Sequence, residues 1–231
     1  VIPTFYNYDK SNIENAICKK QNIKCLIRGK VNYSFFPTPR IKINDVIIND
    51  FPKQKKTLIK IENAVIKLSI KNLLSKEKHN FKKAELNNFE INFDLKNSKK
   101  YKSIFAKEIN FIPVTFTKGK IIFFDEKDYV ATINDANLNL TLEEDSKKAV
   151  LKGKFLNDNI YISLNNKKID DKPSTDIILK MSDLNLLSKA NFFTSVKEKN
   201  TTSGNILIKK DKHRFTSTFN YKNNEITVNK S

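Results

Sequence analysis

Tryptophan is absent from this 231-residue chain, methionine occurs once, and Gly and Pro number only 4 and 6. So little Gly and Pro excludes a collagen-like chain, a low-complexity linker and a propeller built on glycine-rich turns. Two cysteines are too few for a disulfide-dense scaffold. No run of about 18 apolar residues occurs, so no segment reads as a helix that spans a bilayer. The chain opens on Val1, consistent with a natural start, and any signal or anchor segment, lying upstream. Hydrophobic residues make up 39%. That is below the usual globular share, but their placement is too regular for a disordered tail.

Residues suited to catalysis are also scarce. The two histidines, His79 and His213, sit in the charged stretches Lys76–Asn80 and Lys210–Arg214 and read as solvated loop residues. No Gly-rich phosphate loop exists. The carboxylate groups Glu143-Glu144-Asp145 and Asp170-Asp171 lie in charged turns, and a calcium site there would need more ligands at regular spacing. The sequence therefore carries no catalytic residues, no metal site and no cofactor site, and no enzymatic activity is expected.

A formal charge of +18 invites a nucleic-acid reading, because clustered cations neutralise phosphates. Of the 43 basic residues, however, only Arg28, Arg40 and Arg214 are arginine; 40 are lysine, spread along the whole chain. Base-edge and bidentate phosphate recognition favour Arg. Lys, Asn and Ile dominate together and share A/T-rich codons, so a solvated basic exterior is expected, with no nucleic-acid partner. A weak attraction to anionic membrane surfaces is compatible with it.

One helix is signposted near the start. Ser11-Asn12-Ile13-Glu14 has capping-box spacing, and Ile13, Ala16 and Ile17 share a face; the helix is expected to end near Lys20. Almost everything after it alternates with period two, the pattern of antiparallel strands with one wet face. Strands are expected over Leu58–Ile70 and Ala84–Leu95. Val114/Phe116 and Ile121/Phe123 are expected to pair around Lys118-Gly119. Ala149–Phe155 is expected to face Ile160–Leu164 across Asn157-Asp158-Asn159, and further strands run through Ile177–Met181, Ile206–Ile208, Phe215–Phe219 and Ile226–Val228, with Asn223-Asn224 as the last turn. Short helical interruptions are expected at Asn72–Glu77 and Asp183–Lys197. No linker forces a second domain, so residues 1–231 read as one.

A six-residue pattern recurs: apolar, any, Asp/Asn, apolar, any, apolar. It occurs at Ile43–Ile48, Ile61–Ile66, Leu86–Ile91, Ile133–Leu138 and Met181–Leu186. Apolar residues three apart fall on opposite faces of a regular strand. A bulge at the Asp/Asn returns them to one face, so the first four copies read as long strands bent in the middle.

In this order and spacing the chain resembles the N-terminal region of the AsmA family, relatives of TamB and of the bridge-like lipid transfer proteins. The resemblance rests on the helix Ser11–Lys20, the strand Ile27-Arg28-Gly29-Lys30-Val31, the turn Ser34-Phe35-Phe36-Pro37-Thr38-Pro39, Asp45-Val46, the unit Ile59–Leu74 with Ala84–Leu95, and Val114–Asp125 with Ile133–Leu142. It covers most of residues 5–190. It implies a mainly β fold: a long curled antiparallel sheet with a short N-terminal helix, forming a groove with an apolar inner face. It further implies a periplasmic protein anchored to the inner membrane, with the anchor outside this chain. Such a protein takes part in phospholipid transport between inner and outer membranes and in outer-membrane biogenesis. The alternative is an assembly factor for outer-membrane proteins that pairs strands at a sheet edge. The expected partners are phospholipid, the membrane and outer-membrane assembly components.

In an oxidising compartment Cys18 and Cys25, which flank a short loop, would form a disulfide that pins the helix to the sheet; the other reading is two buried free thiols. The apolar faces likewise leave two readings, a closed core or a lipid-holding groove. In the groove reading the floor is Ile61, Ile66, Leu68, Leu86, Phe89, Ile91, Phe93, Val114, Phe116, Ile121, Phe123, Leu138 and Leu140. Acyl chains lie on that floor and headgroups stay near the Lys-rich rim.

Overall fold

The computed structural model describes residues 10–17, 25–49, 57–69, 81–97, 113–143, 146–169, 172–194, 201–222 and 225–230. Among these residues a single short α-helix, α1 (Lys10–Ile17), precedes fourteen strands: β1 (Cys25–Ile27), β2 (Val31–Ser34), β3 (Arg40–Asn49), β4 (Thr57–Leu68), β5 (Phe81–Asp94), β6 (Val114–Asp125), β7 (Asp128–Glu143), β8 (Ser146–Phe155), β9 (Asp158–Ile169), β10 (Lys172–Met181), β11 (Leu186–Thr194), β12 (Thr201–Lys210), β13 (His213–Lys222) and β14 (Glu225–Lys230). The protein is therefore mainly β. The strands form one sheet in the order β1-β3-β4-β5-β6 and onward consecutively to β14, with β2 paired to β3, and the order does not close into a barrel. By contacts the chain divides into two compact units, Val1–Ala136 and Asn137–Ser231.

The helix is fixed differently from the capping-box expectation. Ile13 is buried, but the Glu14 carboxylate does not turn back on its own helix. It accepts the backbone N–H of Ile27 at 2.6 Å and so ties α1 to β1. An edge-strand N–H without a ladder partner is a stronger claimant for that carboxylate than a helix end open to water. Residues 18–20 lie outside the described residues.

In the first unit the expected strands at Leu58–Ile70 and Ala84–Leu95 are β4 and β5. Two expectations are corrected. β5 and β6 run parallel, with Leu86 beside Phe116 and Ile91 beside Ile121. Nineteen residues separate Asp94 from Val114, enough chain to return to the same end of the sheet. Nor do Val114–Phe116 and Ile121–Phe123 form a hairpin: they are halves of the single strand β6. Lys118 takes a left-handed conformation (φ 56°), which kinks the strand without reversing it.

That kink belongs to a row. Asp45 (φ 51°), Asn88 (φ 54°), Lys118 and Asp135 (φ 48°) all have positive φ in mid-strand. The β3–β4 register pauses between Asn44/Asn63 and Val46/Ile61, and the β4–β5 register pauses between Ile61/Phe89 and Asn63/Asn87. Asp45, Glu62, Asn88 and Lys118 therefore occupy one cross-strand line. Three of the Asp/Asn positions in the recurring pattern are kink residues; Asn63 is not, and its neighbour Glu62 fills the line instead. The pairing numbers match on either side, so no strand gains a residue as a true bulge would require. The burial phase still switches: Ile61 and then Ala64, Phe116 and then Ile121, and Ile133 and then Ala136 are buried. Side-chain hydrogen bonds stitch the line, Asn88 Nδ2 donating to Glu62 at 2.9 Å and Asn44 Nδ2 to Asn63 at 3.0 Å.

The second unit is an antiparallel meander in which each strand from β8 to β14 pairs with the next. The β8–β9 turn is Leu156-Asn157, both with positive φ, a geometry that matches the right-handed twist of the flanking strands. Asp158 lies just inside β9, and its carboxylate accepts the N–H groups of Asp183 and Leu184 at 2.9 and 3.1 Å. Those contacts hold the four-residue turn Ser182–Asn185. Over residues 183–194 the expected helix is therefore a turn followed by β11; residues 195–197 lie outside the described residues. Leu186, Ala190 and Phe192 also fit period two, and two flanking strands offer ladder partners that a helix would leave unpaired. His213 is the exposed first residue of β13 rather than a loop residue. The expected helix at Asn72–Glu77 and the turn Asn223-Asn224 lie outside the described residues. Among those described, no helix is long and apolar enough to cross a membrane.

Candidate functional site

Eleven of the thirteen floor residues lie in the first unit, where the register aligns them. Ile66, Ala84 and Val114 form one cross-strand row, and Ala64, Leu86 and Phe116 the next. Beyond the kink line come Ile61 beside Phe89, then Ile59, Ile91 and Ile121, then Phe93 beside Phe123. Phe89 meets Phe116 edge-on at 5.2 Å between ring centres, and Phe93 lies 6.2 Å from Phe123. These contacts put residues from both sides of the kink on one face. Ile61, Ile66, Leu68, Phe89, Ile91, Phe116 and Ile121 are buried, whereas Leu86, Phe93, Val114 and Phe123 are half-buried. The stripe is thus packed near the kink line and open toward Phe93 and Phe123. Leu138 and Leu140 belong to the second unit, on β7, and are half-buried.

The second unit carries its own apolar register, which reasoning from the recurring pattern left out. Ala149, Leu164, Ile177, Ala190 and Ile206 form one row, and Leu151, Ile162, Leu179, Ser188, Ile208 and Phe215 the next. Alternation had marked all of these strands, so the signal was present in the sequence. Unlike the first unit, most of the apolar side chains on this face are half-buried: Ile160 and Met181 are buried, as is Ser217 opposite Ile206, while Ile208 is 37% and Phe215 55% exposed.

The other register of the second unit is mixed, with one polar row. Asn165, Asp176, Asn191, Asn205 and Thr218 line up across five strands and contribute to a hollow of about 680 Å3, together with Ile178 and Leu207. Asp176 accepts from Asn191 Nδ2 and pairs with Lys167 at 3.2 Å. Nothing in the sequence distinguished these positions from an ordinary wet face.

Charge is arranged in short clusters. Glu85 sits between Lys67 (2.7 Å) and Lys83 (3.0 Å), and the hydrogen bond from Lys67 holds its pKa below the ordinary carboxylate value against the opposing effect of burial. At Glu90 burial is the largest influence and raises the pKa, but hydrogen bonds from Lys120 (3.1 Å) and Asn92 bring the balance below the ordinary value. Just after β5, Lys96 is held above its usual range by its hydrogen bond, at 3.0 Å, to Glu126 of the β6–β7 turn. Cys25 is disulfide-bonded; the only other cysteine in the sequence, Cys18, lies outside the described residues. Among the described residues no three His, Cys, Asp or Glu side chains group closely enough to hold a metal ion.

No protein-family model, curated protein or solved structure matches this chain.

Proposed function

We propose that this protein holds lipid acyl chains on the apolar face of its sheet and takes part, as its likeness to the AsmA family implies, in phospholipid transport between the inner and outer membranes. The observation that carries this reading is the in-register apolar face of the second unit. Six adjacent strands line up Leu151, Ile162, Leu179, Ile208 and Phe215 with one polar interruption, and that face stays half-exposed. A sheet cannot bury such a face alone, and contiguous apolar surface of this kind normally meets a ligand or partner. An acyl chain suits it. The surface is long, unspecific in hydrogen bonding, and gains roughly 0.8 kcal/mol for each CH2 removed from water. The half-buried Phe93 and Phe123 extend the same chemistry in the first unit. On this reading the protein works in the periplasm and is no enzyme: the lipid is carried, not changed.

The test is binding of a phospholipid with a fluorescent acyl chain. Competition by a long-chain fatty acid but not by glycerophosphate is the expected result. Competition by the headgroup analogue alone, or no binding, would overturn the reading.

A further inference from the structure

We propose that the tip of the β2–β3 hairpin docks onto an anionic bilayer, seating Phe36 among the lipid headgroups and upper acyl chains. This goes beyond the acyl-chain reading and stands without it. Phe36 is 87% exposed, the most exposed of the large hydrophobic side chains described, and Phe35 beside it is 41% exposed. The tip is braced: Ser34 Oγ donates to the Phe36 carbonyl at 3.3 Å, and Arg40 donates from Nη2 to that carbonyl at 3.4 Å and from Nε to Thr38 at 3.2 Å. The Leu68 N–H donates to the Pro39 carbonyl at 2.9 Å, which fixes the far side to β4. An aromatic ring held out in water by a braced turn forfeits the burial that Phe ordinarily gains.

The surroundings select the partner. No carboxylate occurs between Arg28 and Ile43, a stretch that holds two of the three arginines in the chain along with Lys30 and Lys42. At the same end of the sheet, Arg40, Lys67 and Lys83 are directly opposite one another on three adjacent strands. Like charges so placed repel. The Glu85 carboxylate bridges Lys67 and Lys83, while among the described residues the Arg40 guanidinium donates only to carbonyls of the tip. An aromatic tip flanked by cations fits a surface that is apolar a few ångströms below a layer of phosphates. The contrasting exposed aromatic, Tyr129 (64%), sits beside Asp125, Glu126 and Asp128, only partly offset by Lys127 and by Lys96, which pairs with Asp125 and Glu126, so it lacks the cationic flank of Phe36.

The absence of tryptophan supplies the experiment. Phe36→Trp and Tyr129→Trp each create a single-tryptophan protein, to be mixed with phosphatidylcholine vesicles with and without phosphatidylglycerol. The expected result is a blue shift for Phe36→Trp on the anionic vesicles only, reversed by high salt, and none for Tyr129→Trp. In sedimentation with the same vesicles, Phe36→Ser should bind about tenfold more weakly than the unmodified chain, and Glu85→Gln more tightly. No shift, an equal shift at Tyr129→Trp, undiminished binding by Phe36→Ser, or a blue shift that grows with protein concentration without vesicles would each overturn the proposal. The last of these would mark self-association instead. Loss of vesicle docking with acyl-probe binding intact refutes this inference alone.

Discussion

The ring of Phe89 lies directly over Gly119: a Cβ at position 119 would come within 2.3 Å of Phe89 Cδ1. Gly119 follows the kink residue Lys118 and stands at the register position beside Phe89. The missing side chain makes room for a buried ring that also packs against Phe116, so the kink line and the apolar stripe meet at this pair. Gly119→Ala is expected to destabilise the first unit by about 1–3 kcal/mol, the usual cost of forcing atoms into a packed core. Chemical denaturation measures it. The penalty should shrink when Phe89 is also changed to Leu; an unchanged penalty would show that the ring is not the obstacle.

Leu156 holds a left-handed conformation (φ 52°) at the β8–β9 turn and is 79% exposed. Branched apolar residues adopt it at a cost that Asn and Gly largely avoid. Leu156→Asn is expected to stabilise the second unit by about 0.5–1 kcal/mol, seen as a raised denaturation midpoint with an unchanged slope. Destabilisation would mean that Leu156 makes a contact the exposed turn does not show.

Glu85 gives a pH signature. Its folded-state pKa is depressed below 4.5 by the hydrogen bond from Lys67, so its contribution to stability is present above that value and is lost as pH falls through the lowered pKa. The carboxylate is about a third exposed, so screening limits the effect to roughly 0–1 kcal/mol. The stability gap between the unmodified chain and Glu85→Gln should be open at neutral pH and close as pH drops below 4.5. A gap that widens in acid would contradict the assigned ion pairs.

Much of the fold was legible because alternation is a direct consequence of a sheet with two unlike faces. The strands from Thr57 to Met181 follow it, and the interruptions at Asp45, Asn88 and Asp135 were visible because Asp and Asn tolerate left-handed backbone. Lys118 was hidden because nothing about lysine signals that conformation. The parallel β5–β6 pair depends on where a long connection returns, which local pattern does not encode. β11 was misread because Leu184, Leu187 and Phe192 satisfy helical spacing as well, and only the ladders offered by β10 and β12 decide between the two. The role of Glu14 depended on the distant Ile27 N–H. Among the floor residues, pattern placed the stripe but not its depth. Phe116, 7% exposed, is core to the first unit, whereas Phe93 is half-buried. A charge at Phe116 therefore tests folding, and one at Phe93 tests the surface.

The most direct test of lipid holding is the amount of lipid that co-purifies with the protein, measured by mass spectrometry per mole of chain. The comparison is with Ile208→Asp/Phe215→Asp, which places two charges side by side on the apolar row of the second unit at positions already 37% and 55% exposed. These positions are open enough for the fold to survive, and circular dichroism with an unchanged strand signal verifies it. The account predicts phospholipid on the unmodified chain and a several-fold loss on the folded variant. Equal lipid on both proteins, or none on the unmodified chain, would contradict it.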